Sequence, residues 1–151
     1  MPAIVAIFDT NTFLQAVLSD SGPARACVDL LLAGKVRLVF TKEIENEVLG
    51  VVARLGMTAK YPQLRDRGAG EFIRAVFEQA ILLPQPYAHF RLQRDEADEV
   101  FINLAIDAPA DYIVTRDRDL LDLTVDSEFC SRFPGLKIVT PVGFLEAIRS
   151  K

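Results

Sequence analysis

Five short runs of almost unbroken apolar residues, at 3–8, 36–40, 80–83, 112–115 and 137–140, recur along the chain with helically periodic stretches between them. A strand that is apolar on both of its alternating faces has no side to turn to water, so it must be covered above and below. Parallel neighbours need long crossovers, and helices are what usually supply them. The helical stretches are visible in the same way. Residues 24–32 follow Ser21-Gly22-Pro23, where the proline suits a first helical turn. Ile44, Val48, Val51, Val52 and Leu55 mark one face of a helix that the Thr41 hydroxyl can cap. Phe72, Val76 and Phe77 mark another, Val100, Phe101, Leu104 and Ala105 a third, and residues 142–148 close the chain behind Pro141. The stretch 57–70, with Pro62, two glycines and Lys60, Arg65 and Arg67, reads as a loop or a short helical excursion. With 151 residues, half of them hydrophobic, the chain can build one sizeable core. The expectation is a single three-layer α/β/α domain over 1–151, with a central, mostly parallel, five-stranded sheet.

Two of these strands run straight into carboxylates. Asp9 follows the first, and Thr115-Arg116-Asp117-Arg118-Asp119 ends the fourth. In an open α/β sheet the carboxyl ends of the strands are where ligands bind. Two further acidic groups, Glu43, Glu45 and Glu47, then Asp95, Glu96, Asp98 and Glu99, begin or line helices that follow strands or long connections. Parallel strands bring all four groups to one edge. Carboxylates within a few ångströms repel and raise one another's pKa, and a shared proton or a divalent cation relieves that. Oxygen-only ligation suits Mg²⁺ or Mn²⁺. Each group also has a plainer reading: the residues around Asp98 favour a helix dipole, Glu43, Glu45 and Glu47 make a solvated face, and Asp119 caps a short helix over 120–123.

A net charge of −4 and a pI near 5.0 exclude a strongly basic nucleic-acid-coating protein, though not a nuclease whose catalytic carboxylates add to the negative charge. No secretory signal and no bilayer-spanning run is expected, which points to the cytoplasm. Cys27 and Cys130 stand too far apart in sequence to form a metal-binding pair and read as buried free thiols. The lone histidine, His89, cannot supply the acid–base pair of a metal-independent ribonuclease and reads as structural or surface. Phe13, Leu14 and Leu18 read as core or as an interface.

Asp9-Thr10-Asn11, Thr41 to Glu47, Asp95 to Asp98 and Thr115-Arg116-Asp117-Arg118-Asp119-Leu120-Leu121 together resemble the PIN domains, and the resemblance extends to Ile138-Val139-Thr140-Pro141 and Phe144-Leu145. It implies a Mg²⁺- or Mn²⁺-dependent ribonuclease, and the tail resembles a branch of toxins from toxin–antitoxin pairs. Carried over, the four acidic positions fall on Asp9, Glu47, Asp98 and Asp117, with Asp119 and Glu99 as further metal-binding carboxylates. Glu43 and Glu47 share a helix face, and the family pattern selects Glu47. Asn11 and Thr115 are expected to orient the ligands, and Arg116 and Arg118 to contact RNA phosphates, ahead of the diluted basic stretch Lys60, Arg65, Arg67 and Arg74. One departure stands out: the branch has Asp-Pro-Asp-Asp-Asp where this chain has Asp95-Glu96-Ala97-Asp98-Glu99, keeping Asp98 but losing the proline and a carboxylate. The resemblance further implies an RNA substrate, a homodimer and an antitoxin segment that plugs the acidic groove. The alternatives are a PIN-fold nuclease of RNA processing and a catalytically silent RNA- or protein-binding domain.

Overall fold

All five strands pair in parallel, in the order β3-β2-β1-β4-β5. The computed structural model describes residues 3–151 apart from 67 and 93–95, so Arg67 and Asp95 lie outside the described residues, as does the side chain of Asp66. The strands are β1 (Ile4–Phe8), β2 (Val36–Phe40), β3 (Ile81–Leu82), β4 (Tyr112–Val114) and β5 (Lys137–Val139). The helices are α1 (Thr10–Leu18), α2 (Pro23–Leu32), α3 (Lys42–Gly56), α4 (Gln63–Asp66), α5 (Ala69–Glu78), α6 (Glu99–Asp107), α7 (Arg118–Leu121), α8 (Ser127–Arg132) and α9 (Pro141–Arg149). Helices cover both faces of the sheet: α6 packs on β1 and β4, while α1, α2, α3, α5 and α9 pack among themselves on the other side. Among the described residues no helix is long and apolar enough to cross a membrane.

The apolar runs become strands because their neighbours leave them no water. Ala6, Ile7, Leu38, Ile113 and Val114 are fully buried. β3 differs: it is an edge strand of two residues, and Ile81 and Leu82 remain 40% and 57% exposed. The stretch around Pro62 is a short helical excursion, α4, between α3 and α5. Phe13 and Leu14 are core, at 1% and 6% exposure, and Leu18 is half-buried. Cys27 is buried as expected, but Cys130 is exposed, which corrects the expectation of two buried thiols: it lies on α8, a short helix whose buried residue is Phe129.

Chain order fixes where a site can form. From β1 the chain moves outward to β2 and β3, then returns to the other side of β1 for β4 and β5. The reversal falls between β1 and β4, and the crevice at the carboxyl ends of those two strands is the position where open parallel sheets bind ligands. An aromatic chain closes the space beneath the strand ends: Phe8 meets Phe13 at 5.8 Å between centroids, Phe13 meets Phe77 at 5.0 Å, and Phe77 meets Phe40 at 4.6 Å. Phe8 and Phe40 are the last residues of β1 and β2, so whatever follows them sits on apolar ground.

Candidate active site

Asp9 leaves β1 at the crevice and starts α1 in the same residue. Its backbone is still extended, and its Oδ1 accepts from the Thr12 amide at 2.9 Å, so the carboxylate is the N-cap of α1. The Thr12 hydroxyl lies 2.6 Å from Asp9 Oδ1 and 3.1 Å from the Val114 carbonyl, one proton facing two acceptors. The other carboxylate oxygen, Oδ2, accepts from the Thr115 hydroxyl at 2.5 Å. That hydroxyl in turn accepts from the Asp117 amide at 2.9 Å. One threonine at the end of β4 therefore ties the carboxylate after β1 to the turn that carries Asp117.

The electrostatics follow from this packing. Asp9 is only 4% exposed, and burial pushes its pKa above the ordinary carboxylate value. The hydrogen bonds from Thr115 and Thr12 pull it back, and the charge of Asp117 pushes it up again. Asp117 is half-buried and caps α7 through its Oδ1, which accepts from the Asp119 amide at 2.8 Å. The cap of this short helix is thus Asp117, and the half-buried Asp119 occupies its first turn. A buried carboxylate facing a second one of like charge is costly, and it is the kind of arrangement that persists where chemistry needs it.

The remaining expected residues distribute around this pair. Glu47 stands exposed on the second turn of α3, which the Thr41 hydroxyl caps at 3.3 Å from the Ile44 amide. Glu45 pairs with Lys42 at 2.7 Å, and Glu43 lines a shallow concavity with Leu82 and Leu83. Asp98 is half-buried, at the junction of a 3₁₀ turn (Glu96–Asp98) and α6. Glu47 and Asp98 thus lie near the starts of α3, which follows β2, and of α6, which precedes β4. Glu99 is engaged with the backbone, its Oε1 accepting the Leu92 amide at 2.9 Å. Asn11 is exposed on the first turn of α1. Thr12, which the sequence did not single out, is the residue of α1 that holds Asp9. An aspartate three residues ahead of a threonine at the start of a helix was the available signal, since an N-cap aspartate accepts from the backbone amide three residues on.

Arg116 and Arg118 alternate with Thr115 and Asp117 and are both exposed. Arg116 is within electrostatic reach of Cys27, whose thiol burial pushes up to about 12. The Cys27 Sγ lies 3.5 Å from the Pro141 carbonyl, and Arg118 lines a concavity with Thr140 and Gly143 at the start of α9.

By chemistry this donor set fits a hard divalent cation: its members are carboxylates and hydroxyls, one carboxylate is desolvated, and a second repels it. By spacing, the described residues bring Asp9 and Asp117 into electrostatic contact and gather no cluster of three acidic, histidine or cysteine side chains able to hold a metal.

Comparison with known proteins agrees with this architecture. A family model described as PIN domain matches residues 5–119. An uncharacterized protein of Methanocaldococcus jannaschii is 28% identical over 148 residues, covering 95% of this chain and 90% of the relative. The crystal structure of PAE2754 from Pyrobaculum aerophilum superposes with a TM-score of 0.61 at 14% identity, covering 98% of this chain and 91% of that one, a likeness of fold.

Proposed function

The chain belongs to the PIN domain family, and from that premise we propose that it is a Mg²⁺- or Mn²⁺-dependent ribonuclease that hydrolyses RNA phosphodiester bonds where Asp9 and Asp117 meet. PIN domains are generally nucleases and typically use divalent metals. The observation that carries the reading is the buried Asp9 carboxylate, linked through the Thr115 hydroxyl to the turn of Asp117 at the crevice between β1 and β4.

In this reading Asp9 and Asp117 hold the cation, Glu47 and Asp98 complete the set, and Asp119 and Glu99 are the further carboxylates. A bound Mg²⁺ or Mn²⁺ supplies positive charge that polarises a phosphodiester and lowers the pKa of a water. The protein's own part is orientation. Thr12 and Thr115 fix both oxygens of Asp9, so its carboxylate cannot rotate away from Asp117. Asn11 is the remaining polar residue proposed to orient ligands. Arg116 and Arg118, both exposed beside Thr115 and Asp117, are the residues proposed to take phosphate oxygens of the substrate. The aromatic residues beneath the strand ends keep water from the inner side of Asp9, which strengthens its electrostatic interactions.

The biological setting proposed is that of a toxin in a type II pair, acting as a homodimer in the cytoplasm and silenced by an antitoxin segment in the acidic groove. The support is the resemblance of Ile138-Val139-Thr140-Pro141 and Phe144-Leu145 to the toxin branch. Inducible expression of wild type and Asp9→Asn, with growth and RNA ends read together, tests both levels. Growth arrest with new 5′-phosphate and 3′-hydroxyl ends, in wild type alone, is expected. Ends without arrest point to a processing nuclease, and unchanged RNA in both cultures contradicts the ribonuclease reading.

A further inference from the structure

The amino-terminal edge of the sheet, opposite Asp9 and Asp117, carries a concavity of about 770 Å³. Lys35 enters from the turn between α2 and β2, Lys137 from the first position of β5, and Lys151 from the end of the chain beyond α9. All three are exposed, and none is in an ion pair among the described residues. In a protein of net charge −4, three lysines without an ion pair among the described residues lining one hollow are a local reversal of sign. The one carboxylate side chain among the lining residues is already engaged: Asp111 Oδ2 accepts the Val5 amide at 2.9 Å, which holds β1 against the entry to β4.

The rim is also open. Gly34, at φ +76°, and Gly135 both line the hollow, and a Cβ built at either would meet nothing within 4 Å. Among the described residues no side chain comes within 4 Å of a Cβ at these two turns, so a ligand can approach their backbone. The volume lies in the range of small-molecule and cofactor sites, and a single inorganic anion would leave most of it empty.

We propose that the hollow bordered by Lys35, Lys137 and Lys151 binds a phosphate-bearing anion of at least two negative charges, supplied either by a free nucleotide or by consecutive phosphodiesters of an RNA strand. The five residues of β1 separate it from the acidic edge by about 16 Å at roughly 3.3 Å per residue. A ligand here does not meet Asp9. The site is independent of the nuclease reading, although an RNA strand held here would extend across the sheet from the cutting edge.

Binding of ATP by calorimetry and of a fluorescein-labelled 12-nucleotide RNA by anisotropy, both in EDTA at low salt, tests the proposal in wild type and in Lys35→Gln/Lys137→Gln. At least a tenfold weakening for one probe in the double variant is expected, with a flatter salt dependence if that probe is RNA. Loss of ATP binding alone assigns a nucleotide site, and loss of RNA binding alone assigns a backbone site. Lys35→Glu, on a turn away from the strands, carries the same test if Lys137→Gln disturbs β5. Equal affinities in wild type and variants for both probes, or no binding of either, overturn the site and leave the nuclease reading intact. Because EDTA removes the cation, failure of the nuclease reading leaves this result unaffected.

Discussion

Burying the Asp9 carboxylate at 4% exposure costs stability whenever it is charged, because bonds from two threonines only partly replace water and Asp117 stands nearby with the same sign. Its pKa is raised in the folded protein, so the folded state is favoured while Asp9 is protonated. That contribution is intact below the ordinary carboxylate value and is lost as pH rises through the raised one. At pH 7 in EDTA, Asp9→Asn, which keeps the shape and one acceptor, is therefore expected to melt above wild type. Each kcal/mol of relieved cost appears as about 2–4 °C for a chain of this size. The gap should close as the buffer is acidified towards and below about pH 4, where free aspartate takes up its proton. Melting curves across that range check the sign, and a variant that melts lower at pH 7 contradicts it. Asp9 and Asp117 were legible in the sequence because both directly follow apolar strands. Thr12 was not, since Asp9 read as the end of a strand conceals that it also begins α1.

Among the elements, the connection from β3 to α6 departs furthest from regular structure. Within it, residues 87–92 are held to α6 by side chains rather than by a ladder. Asn103 Oδ1 accepts the His89 and Phe90 amides at 3.0 and 2.9 Å, and its Nδ2 donates to the Phe90 carbonyl at 3.3 Å. Asp107 accepts the Tyr87 amide at 2.8 Å and pairs with the His89 ring, and these contacts hold its carboxyl below the ordinary value, the Tyr87 amide foremost. Phe90 adds an apolar anchor against Phe129 at 5.3 Å. Asn103 is only 6% exposed, so Asn103→Ala leaves two amides without their acceptor and is expected to destabilise the fold by about 2–3 kcal/mol. Chemical denaturation gives the loss, and hydrogen exchange should accelerate first at His89 and Phe90. Full retention of stability would show that the segment is held elsewhere. Sequence periodicity found α6 through Phe101, Leu104 and Ala105 but gave no hint of this role. An asparagine on an apolar helix face pairs with backbone 13 and 14 residues away, and spacing patterns do not encode such partners. Glu99 illustrates the same limit: the sequence shows it as one more acidic residue beside Asp98 but not that its Oε1 accepts the Leu92 amide.

For the whole molecule, the parallel sheet brings the carboxylates Asp9 and Asp117 together where β1 and β4 end, and sets Lys35 and Lys137 at the opposite edge, where β2 and β5 begin. The alternation of apolar runs with helical stretches was enough to read this architecture, since a strand buried on both faces permits few arrangements. The meeting of Asp9 with Asp117 depends on β4 pairing beside β1, and chain order alone does not reveal that neighbour. The proposed chemistry depends on that meeting. Cleavage of a labelled RNA by purified wild type and Asp117→Asn, each in Mn²⁺ and in EDTA, measures it most directly. Products in wild type with Mn²⁺, falling at least 100-fold in the variant and vanishing in EDTA, are the expected result; equal cleavage by the variant, or cleavage that persists in EDTA, would contradict a metal-dependent site built on Asp9 and Asp117.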